Sequence, residues 1–406
     1  MMDDSGGART LSVLRSFLDD VHEAPPGELP AVVARAAGLT GWGARMYLVD
    51  YEQRVLVCAP GGTPPEPPDV LPIEGTVAGR VFQRLEPLSQ GDTLWVPLLD
   101  GVHRFGVIEL LLPEGTDPTD PAVVDRYRLL AHVAGHMIAA KTPYGDALTM
   151  LSRRQRRTVA SELLWSLLPP LTFGCPGLVV SGILEPCYGV AADAFDYNVV
   201  DGVAHLAVFD ATGHDLNGTL VAAVTLAAYR NSRREGLGLF ETCAAIDEAV
   251  GEHWDRQMYV SGVLAQLELA TGRLRYVNAG HPAPLLVRRG KVVKQLGGGR
   301  RILLGLGDGS GEVAEEWLEP DDWAVLYTDG VTEARDPAGR FYGLERLADQ
   351  LERSADDARP APETLRRLMH EVLDHQRGVL QDDATVLVAQ WASGRERQFW
   401  PHPTEG

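Results

Sequence analysis

The chain has 406 residues, 45% of them hydrophobic and 23% charged, and a formal net charge of −19. That length and apolar content suit two or three globular domains, each with its own core. The acidic balance argues against a nucleic-acid backbone or an anionic membrane surface as the main partner, and says nothing against a phosphorylated protein.

The start, Met1-Met-Asp-Asp-Ser-Gly-Gly, lacks a basic region followed by an apolar stretch, and no segment reaches the length of a membrane span. A cytoplasmic location is therefore expected. Residues 1–24 carry a short helical pattern over 11–21, broken by Pro25 and Pro26, and an Ala-rich helix is expected over 31–37. Strand-like runs follow at 44–49, 54–58, 94–98 and 105–112, with turn clusters at 60–68 and 99–101. The last two runs read as a hairpin across Asp100-Gly101. A helix over 123–140 closes the region 25–140, which reads as a compact α+β sensor-like domain, short helices flanking an antiparallel sheet.

The segment 141–170 places Leu148, Leu151, Val159, Leu163 and Leu167 mostly at helical steps and ends in Pro169-Pro170. It predicts one linker helix over 146–168, whose apolar stripe is too short to argue for a coiled coil, so a homodimer through it stays open. Arg153, Arg154, Arg156 and Arg157 on that segment read as a solvated face meeting the protein's own carboxylates. Cys58, Cys175, Cys187 and Cys243 show no C-x-x-C spacing, hence neither a zinc knuckle nor a redox pair.

Over 171–392 the pattern turns to repeated hairpins. Runs 197–200 and 203–210 flank Asp201-Gly202, runs 262–269 and 274–277 flank Thr271-Gly272, and further strands are expected at 323–328 and 384–390. Helical segments intervene at 217–234, 238–254, 343–353 and 362–376. Two groups of antiparallel strands with helices between them predict a layered α/β/β/α sandwich, followed by a polar tail over 393–406.

Four aspartates stand out in this region: Asp193 in Val190-Ala-Ala-Asp-Ala-Phe-Asp196, Asp210 in Val208-Phe-Asp-Ala-Thr-Gly-His214, Asp329 in Leu326-Tyr-Thr-Asp-Gly330 and Asp382 in Gln381-Asp-Asp-Ala-Thr-Val386. Three of them sit at or beside the end of an apolar run. Ionised carboxylates converging there repel one another unless a cation lies between them. All-oxygen ligands favour hard ions such as Mg²⁺ or Mn²⁺ over zinc, and two such ions can lower the pKa of a water and aim it at phosphorus. A turn at Thr212-Gly213 would free the Ala211 carbonyl as a further ligand. Any one of these acids alone reads equally well as an ordinary turn aspartate; the four together do not.

Two resemblances follow from these segments. Residues 25–140 resemble a GAF domain through Gly43-Ala-Arg-Met-Tyr-Leu-Val-Asp50, Ile73-Glu-Gly-Thr-Val-Ala-Gly-Arg80 and Val107-Ile-Glu-Leu-Leu111, which implies sensing of a small ligand or dimerisation. Residues from about 175 to 391 resemble the PPM-type, metal-dependent protein serine/threonine phosphatases, in the bacterial branch typified by the sporulation stage II protein E and the stress-response sigma-factor activators. The matching segments are Gly189–Asp196, Asp210-Ala-Thr-Gly-His214, Val277-Asn-Ala-Gly-His-Pro-Ala-Pro284, Leu304-Gly-Leu306, Tyr327-Thr-Asp-Gly-Val-Thr-Glu333 and Asp382-Asp-Ala-Thr385.

The second resemblance implies that Asp193, Asp210, Asp329 and Asp382 bind two Mn²⁺ or Mg²⁺ ions, with the Ala211 carbonyl assisting and Asp210 bridging. Asp383 is expected to orient a ligand or to face water. His214 and His281 are candidate proton donors to a leaving serine, with loop-holding as the alternative, and Asn278 and Gly280 are expected to shape their loop. The branch's Gly-Gly before the first aspartate is Ala191-Ala192 here, and Gly-His-Gly is Gly213-His214-Asp215, so a lost positive φ or a crowded phosphate is a concern. The expected function is a signalling phosphatase under control of the GAF-like domain, acting on a phosphoprotein such as a STAS-fold anti-sigma-factor antagonist. A pseudophosphatase scaffold that binds a partner without turnover is the alternative. Two-metal phosphodiesterases and nucleases are disfavoured by the acidic surface and the ordered motifs.

Overall fold

The computed structural model describes residues 4–61, 69–185, 189, 192–213, 215–307, 311–357, 359–378 and 380–394. Cys187, Ala191, His214, most of the 60–68 turn cluster and the tail from 395 onward lie outside these residues. The chain divides after Gln155 into two compact units.

In the first unit, α1 (Asp4–Glu23) and α2 (Leu29–Gly38) precede β1 (Gly43–Val49), β2 (Val55–Ala59) and β3 (Val70–Pro72). Then come α3 (Val77–Arg84), β4 (Leu88–Gln90), β5 (Thr93–Asp100), β6 (His103–Leu111) and α4 (Pro121–Lys141). The strands form one antiparallel sheet in the order β3-β2-β1-β6-β5-β4. Alternation along β1 assigns its faces. Met46 and Leu48 join Phe17 of α1, Val33 of α2 and Leu130 of α4 in one core, while Tyr47 packs with Val81 and Phe82 of α3 in the other. The hairpin across Asp100-Gly101 is present, with Asp100 opposite His103. Helix α3 was not legible in the sequence. Its eight residues are too few for periodicity to register; Thr76 starts it by accepting the Gly79 N–H at 2.9 Å, and Leu85 at φ 62° ends it.

The expected linker helix over 146–168 is instead two short helices, α5 (Ala147–Ser152) and α6 (Val159–Leu167), separated by residues 153–158. Clustered arginines repel along a helix, and Thr158 opens a new one by accepting the Ser161 N–H at 3.1 Å. Each half packs on its own unit: Leu148 of α5 belongs to the first unit's core and Leu164 of α6 to the second's.

The second unit is a four-layer sandwich. One sheet contains β9 (Asp193–Val200), β10 (Val203–Ala211), β11 (Val260–Glu268), β12 (Arg273–Ala279), β15 (Arg300–Arg301) and β16 (Ala314–Trp317), in the order β15-β12-β11-β10-β9 with β16 beside β12. The other contains β7 (Thr172–Cys175), β8 (Leu178–Glu185), β13 (Leu285–Arg288), β14 (Lys291–Gln295), β17 (Trp323–Tyr327) and β18 (Ala384–Trp391), in the order β14-β13-β17-β18-β8-β7. Helices α7 (Leu216–Arg234) and α8 (Leu239–His253) bury Leu226 and Ile246 with Phe209 and Leu264 of the first sheet. Helices α10 (Gly343–Asp356) and α11 (Ala361–His375) bury Leu347 and Leu368 with Val325 and Val386 of the second. Between β17 and α10 lies one helical turn, α9 (Asp329–Thr332). The hairpin joining β9 to β10 turns on Asp201 and Gly202, both left-handed at φ 49° and 77°, as a two-residue loop of this kind requires. Among the described residues no helix is long and apolar enough to cross a membrane.

Candidate active site

The β9–β10 hairpin builds the first half of the site. Its register sets Asp210 directly opposite Asp193. Opposed residues of an antiparallel pair share a face with Cβ atoms about 4.5–5.5 Å apart, so the two carboxylates are adjacent although seventeen positions separate them. Asp193 lies on the face of β9 shared by Phe195, whose ring fills the space left by Gly182 of β8 in the other sheet. It therefore points toward the second sheet, where the Thr328 hydroxyl donates to its Oδ2 at 2.7 Å.

The second sheet supplies the rest. Thr328 follows β17, and its Oγ1 accepts the Thr385 N–H at 2.9 Å while its own N–H donates to the Thr385 carbonyl at 3.0 Å. That ladder aligns Asp329, the first residue of α9, with Asp382 and Asp383 just ahead of β18. Gly330 makes the approach possible: a Cβ there would lie 1.7 Å from the Asp383 carbonyl oxygen. The Asp383 carboxylate accepts the Ala192 N–H at 2.5 Å, tying this loop to the residue before Asp193 across 191 positions.

The electrostatics match this convergence. Burial first, then Asp210 and Asp383, push the Asp193 carboxyl well above the usual carboxylate range, and the Thr328 and Thr385 hydroxyls oppose the shift. Asp210 is pushed up to about 7 by burial and by Asp329, Asp382 and Asp383, with Ser261, its partner on β11, opposing. Asp329 is raised by burial, Asp382 and Glu333. Hydroxyls and backbone N–H groups are what oppose these shifts, and among the described residues no arginine or lysine is a leading contributor. Among the described residues no group of three or more His, Cys, Asp or Glu side chains is arranged to hold a metal ion. The donor set, all carboxylate oxygen with excess negative charge, nonetheless suits hard divalent cations.

Ala211 ends β10, its N–H donating to the Ala192 carbonyl at 3.2 Å. At neither substitution does a described residue need left-handed backbone. Asp215 has extended backbone, φ −128° and ψ −171°, and caps α7 by accepting the Asn217 and Gly218 N–H groups at 2.9 and 3.2 Å. Ala192 is absent from the left-handed residues, and its methyl faces Gly218. His281 is buried, 8% exposed, with Nδ1 2.6 Å from the Ser261 hydroxyl, and burial lowers it to about 4. Asn278 shapes its loop as expected, accepting the His281 N–H at 2.8 Å and donating to the His281 carbonyl at 2.9 Å. Thr328 and Thr385 lay inside recognised motifs without being singled out, and nothing in the sequence marked Ser261.

Residues 201–392 match the family model described as Stage II sporulation protein E (SpoIIE). That match supports a SpoIIE/PP2C-type phosphatase domain of the PPM fold; it takes in Asp210, Asp329 and Asp382 and begins after Asp193. Protein IcfG of Synechocystis sp. is 27% identical over 144 residues, 35% of this chain and 22% of that protein, so the chain aligns with only about a fifth of this curated relative. Among solved structures, the SiaA-PP2C domain of Pseudomonas aeruginosa overlaps with TM-score 0.49 at 22% identity, covering 62% of this chain and 99% of that one. The RsbU and RsbW domains of Rv1364c from Mycobacterium tuberculosis give TM-score 0.46 at 25% identity, covering 54% and 62%. The family match, over just under half of the chain, supports a domain of that type, and these partial overlaps add nothing to it.

Proposed function

We propose that this protein is a cytoplasmic, metal-dependent phosphatase that hydrolyses phosphoserine or phosphothreonine on a regulatory protein. The observation that carries the reading is the in-register opposition of Asp193 and Asp210, with Asp329 and Asp382 beside them and no arginine or lysine among the leading influences on the group from the described residues. Asp193, Asp210, Asp329 and Asp382, with the Ala211 carbonyl, would hold two ions, Mn²⁺ or Mg²⁺. When bound, such ions supply Lewis-acid activation of water for attack at phosphorus. The protein's own part is positioning. Thr328 holds Asp193, Asp383 secures the backbone ahead of it, and Gly330 lets the Asp329 and Asp382 loops meet.

The motif resemblance makes a STAS-fold anti-sigma-factor antagonist the favoured phosphoprotein, and the first unit a GAF-like sensor of a small ligand that regulates the second. The test is hydrolysis of an aryl phosphate and a phosphoserine peptide with Mn²⁺, with Mg²⁺ and with chelator, beside Asp329→Asn. Metal-dependent phosphate release that the variant lacks supports the reading. Metal binding without turnover on either substrate would favour the scaffold alternative.

A further inference from the structure

The His281 loop is an expensive piece of structure next to the site. Gly280 sits at φ 66°, where a Cβ would also come within 2.6 Å of Leu303, and Asn278 clamps the loop at both the His281 N–H and its carbonyl. The result is an imidazole buried between elements of both sheets. On one side Nδ1 meets the Ser261 hydroxyl of β11 at 2.6 Å, and Ser261 stands opposite Asp210 in the β10–β11 register. On the other side the ring approaches the backbone of Tyr327, the last residue of β17 before Thr328 and Asp329, without a hydrogen bond of normal geometry at Nε2.

A proton donor to a leaving group must reach the substrate, and the groups around this ring are Ser261, the Asn278 clamp and the Tyr327 backbone. Being neutral near pH 7, it also lacks the proton that an imidazolium would give. We infer that His281 is a positioning residue: it props Ser261, and with it the Asp210 end of β10, against the end of β17 that delivers Asp329, and thereby sets how tightly the carboxylates hold a divalent cation. Groups of this kind beyond the direct ligands typically govern metal affinity about 10–100-fold. The inference rests on the two-metal reading above and assigns His281 a role other than general acid.

The test is Mn²⁺ binding by calorimetry on the full chain, with turnover on the aryl phosphate and the phosphoserine peptide measured alongside. His281→Ala and Ser261→Ala should each weaken Mn²⁺ binding about tenfold, and the double variant should lose little more than either, because both remove one contact. His281→Asn, which can still meet Ser261 from the Nδ1 position, should recover most of the affinity. Turnover at limiting Mn²⁺ should fall equally on both substrates. Unchanged Mn²⁺ affinity in Ser261→Ala and His281→Ala overturns the inference, and so does a loss confined to the phosphoserine peptide, since only a general acid discriminates by leaving group. If His281→Ala does not fold, Ser261→Ala carries the test. Failure of the wild-type chain to bind any Mn²⁺ or Mg²⁺ would instead sink the two-metal reading, and this inference with it.

Discussion

Strand β9 carries two aspartates, Asp193 and Asp196, each only 2% exposed, on opposite faces of the same sheet. Asp196 faces α7, where Arg230 reaches it through Nε at 3.2 Å and Nη2 at 2.9 Å and Arg233 through Nη1 at 2.8 Å. Asp193 faces the second sheet and meets a threonine hydroxyl and more carboxylates. The same residue type at the same depth is met by two arginines in one case and by further carboxylates in the other. Other buried acids of this unit follow Asp196: Arg301 with Asp247, Arg288 with Asp322 and Arg366 with Glu363. These buried acids of the second unit each come with an arginine, and the cluster around Asp193 departs from that pattern, as the metal site proposed above would require.

The widest gap should open at function. Asp329→Asn or Asp210→Asn should lower metal-dependent phosphate release at least about a hundredfold, since losses one shell further out already reach that range. Metal-free folding should be at least as stable, because one repelling charge is gone. Unchanged turnover in both variants would break the comparison at its root.

Asp196→Ala should do the opposite, lowering the unfolding free energy of the second unit by about 3–5 kcal/mol by stranding two arginines, as read in a denaturant melt. A cost near zero would mean that Asp196 is no better compensated than Asp193. Mn²⁺ at about a hundred times its Kd should raise that unfolding free energy by about 2.7 kcal/mol, and chelator should remove the gain. Asp210→Asn should show no such rise; a rise of equal size there would place the ion elsewhere. The smallest effect belongs to Asp215→Gly, which restores the branch's glycine. With ordinary φ at that position and only a cap bond lost, a few tenths of a kcal/mol and unchanged turnover are expected from melts and rates, about 0.3 kcal/mol being typical. A marked gain in turnover would show that the Asp215 carboxylate does crowd the substrate.

Helices and strands with strong periodicity were legible, as was the Asp201-Gly202 turn, because local geometry alone demands left-handed residues there. Short pieces such as α3 were not, and the linker's apolar stripe concealed a break at residues 153–158 because a stripe shows which residues are buried but not whether the same unit buries them. The second unit's site was legible as a set of unusual acids, since aspartates beside apolar runs contradict burial on their own. Which acids touch was not. The glycine after Asp329 looked like half of an Asp-Gly turn, yet its function is close approach to the Asp383 carbonyl.

By itself, then, the sequence determined the chemical inventory: the carboxylates of Asp193, Asp210, Asp329 and Asp382, hard oxygen donors by type, and the glycines that let the chain turn beside them. Only the tertiary structure decided that Asp193 opposes Asp210, that Thr328 reaches back 135 residues to Asp193, and that His281 rests on Ser261. The physical reason is that residue chemistry and turn geometry are local, whereas strand register and the meeting of two sheets are set by the burial of both cores together.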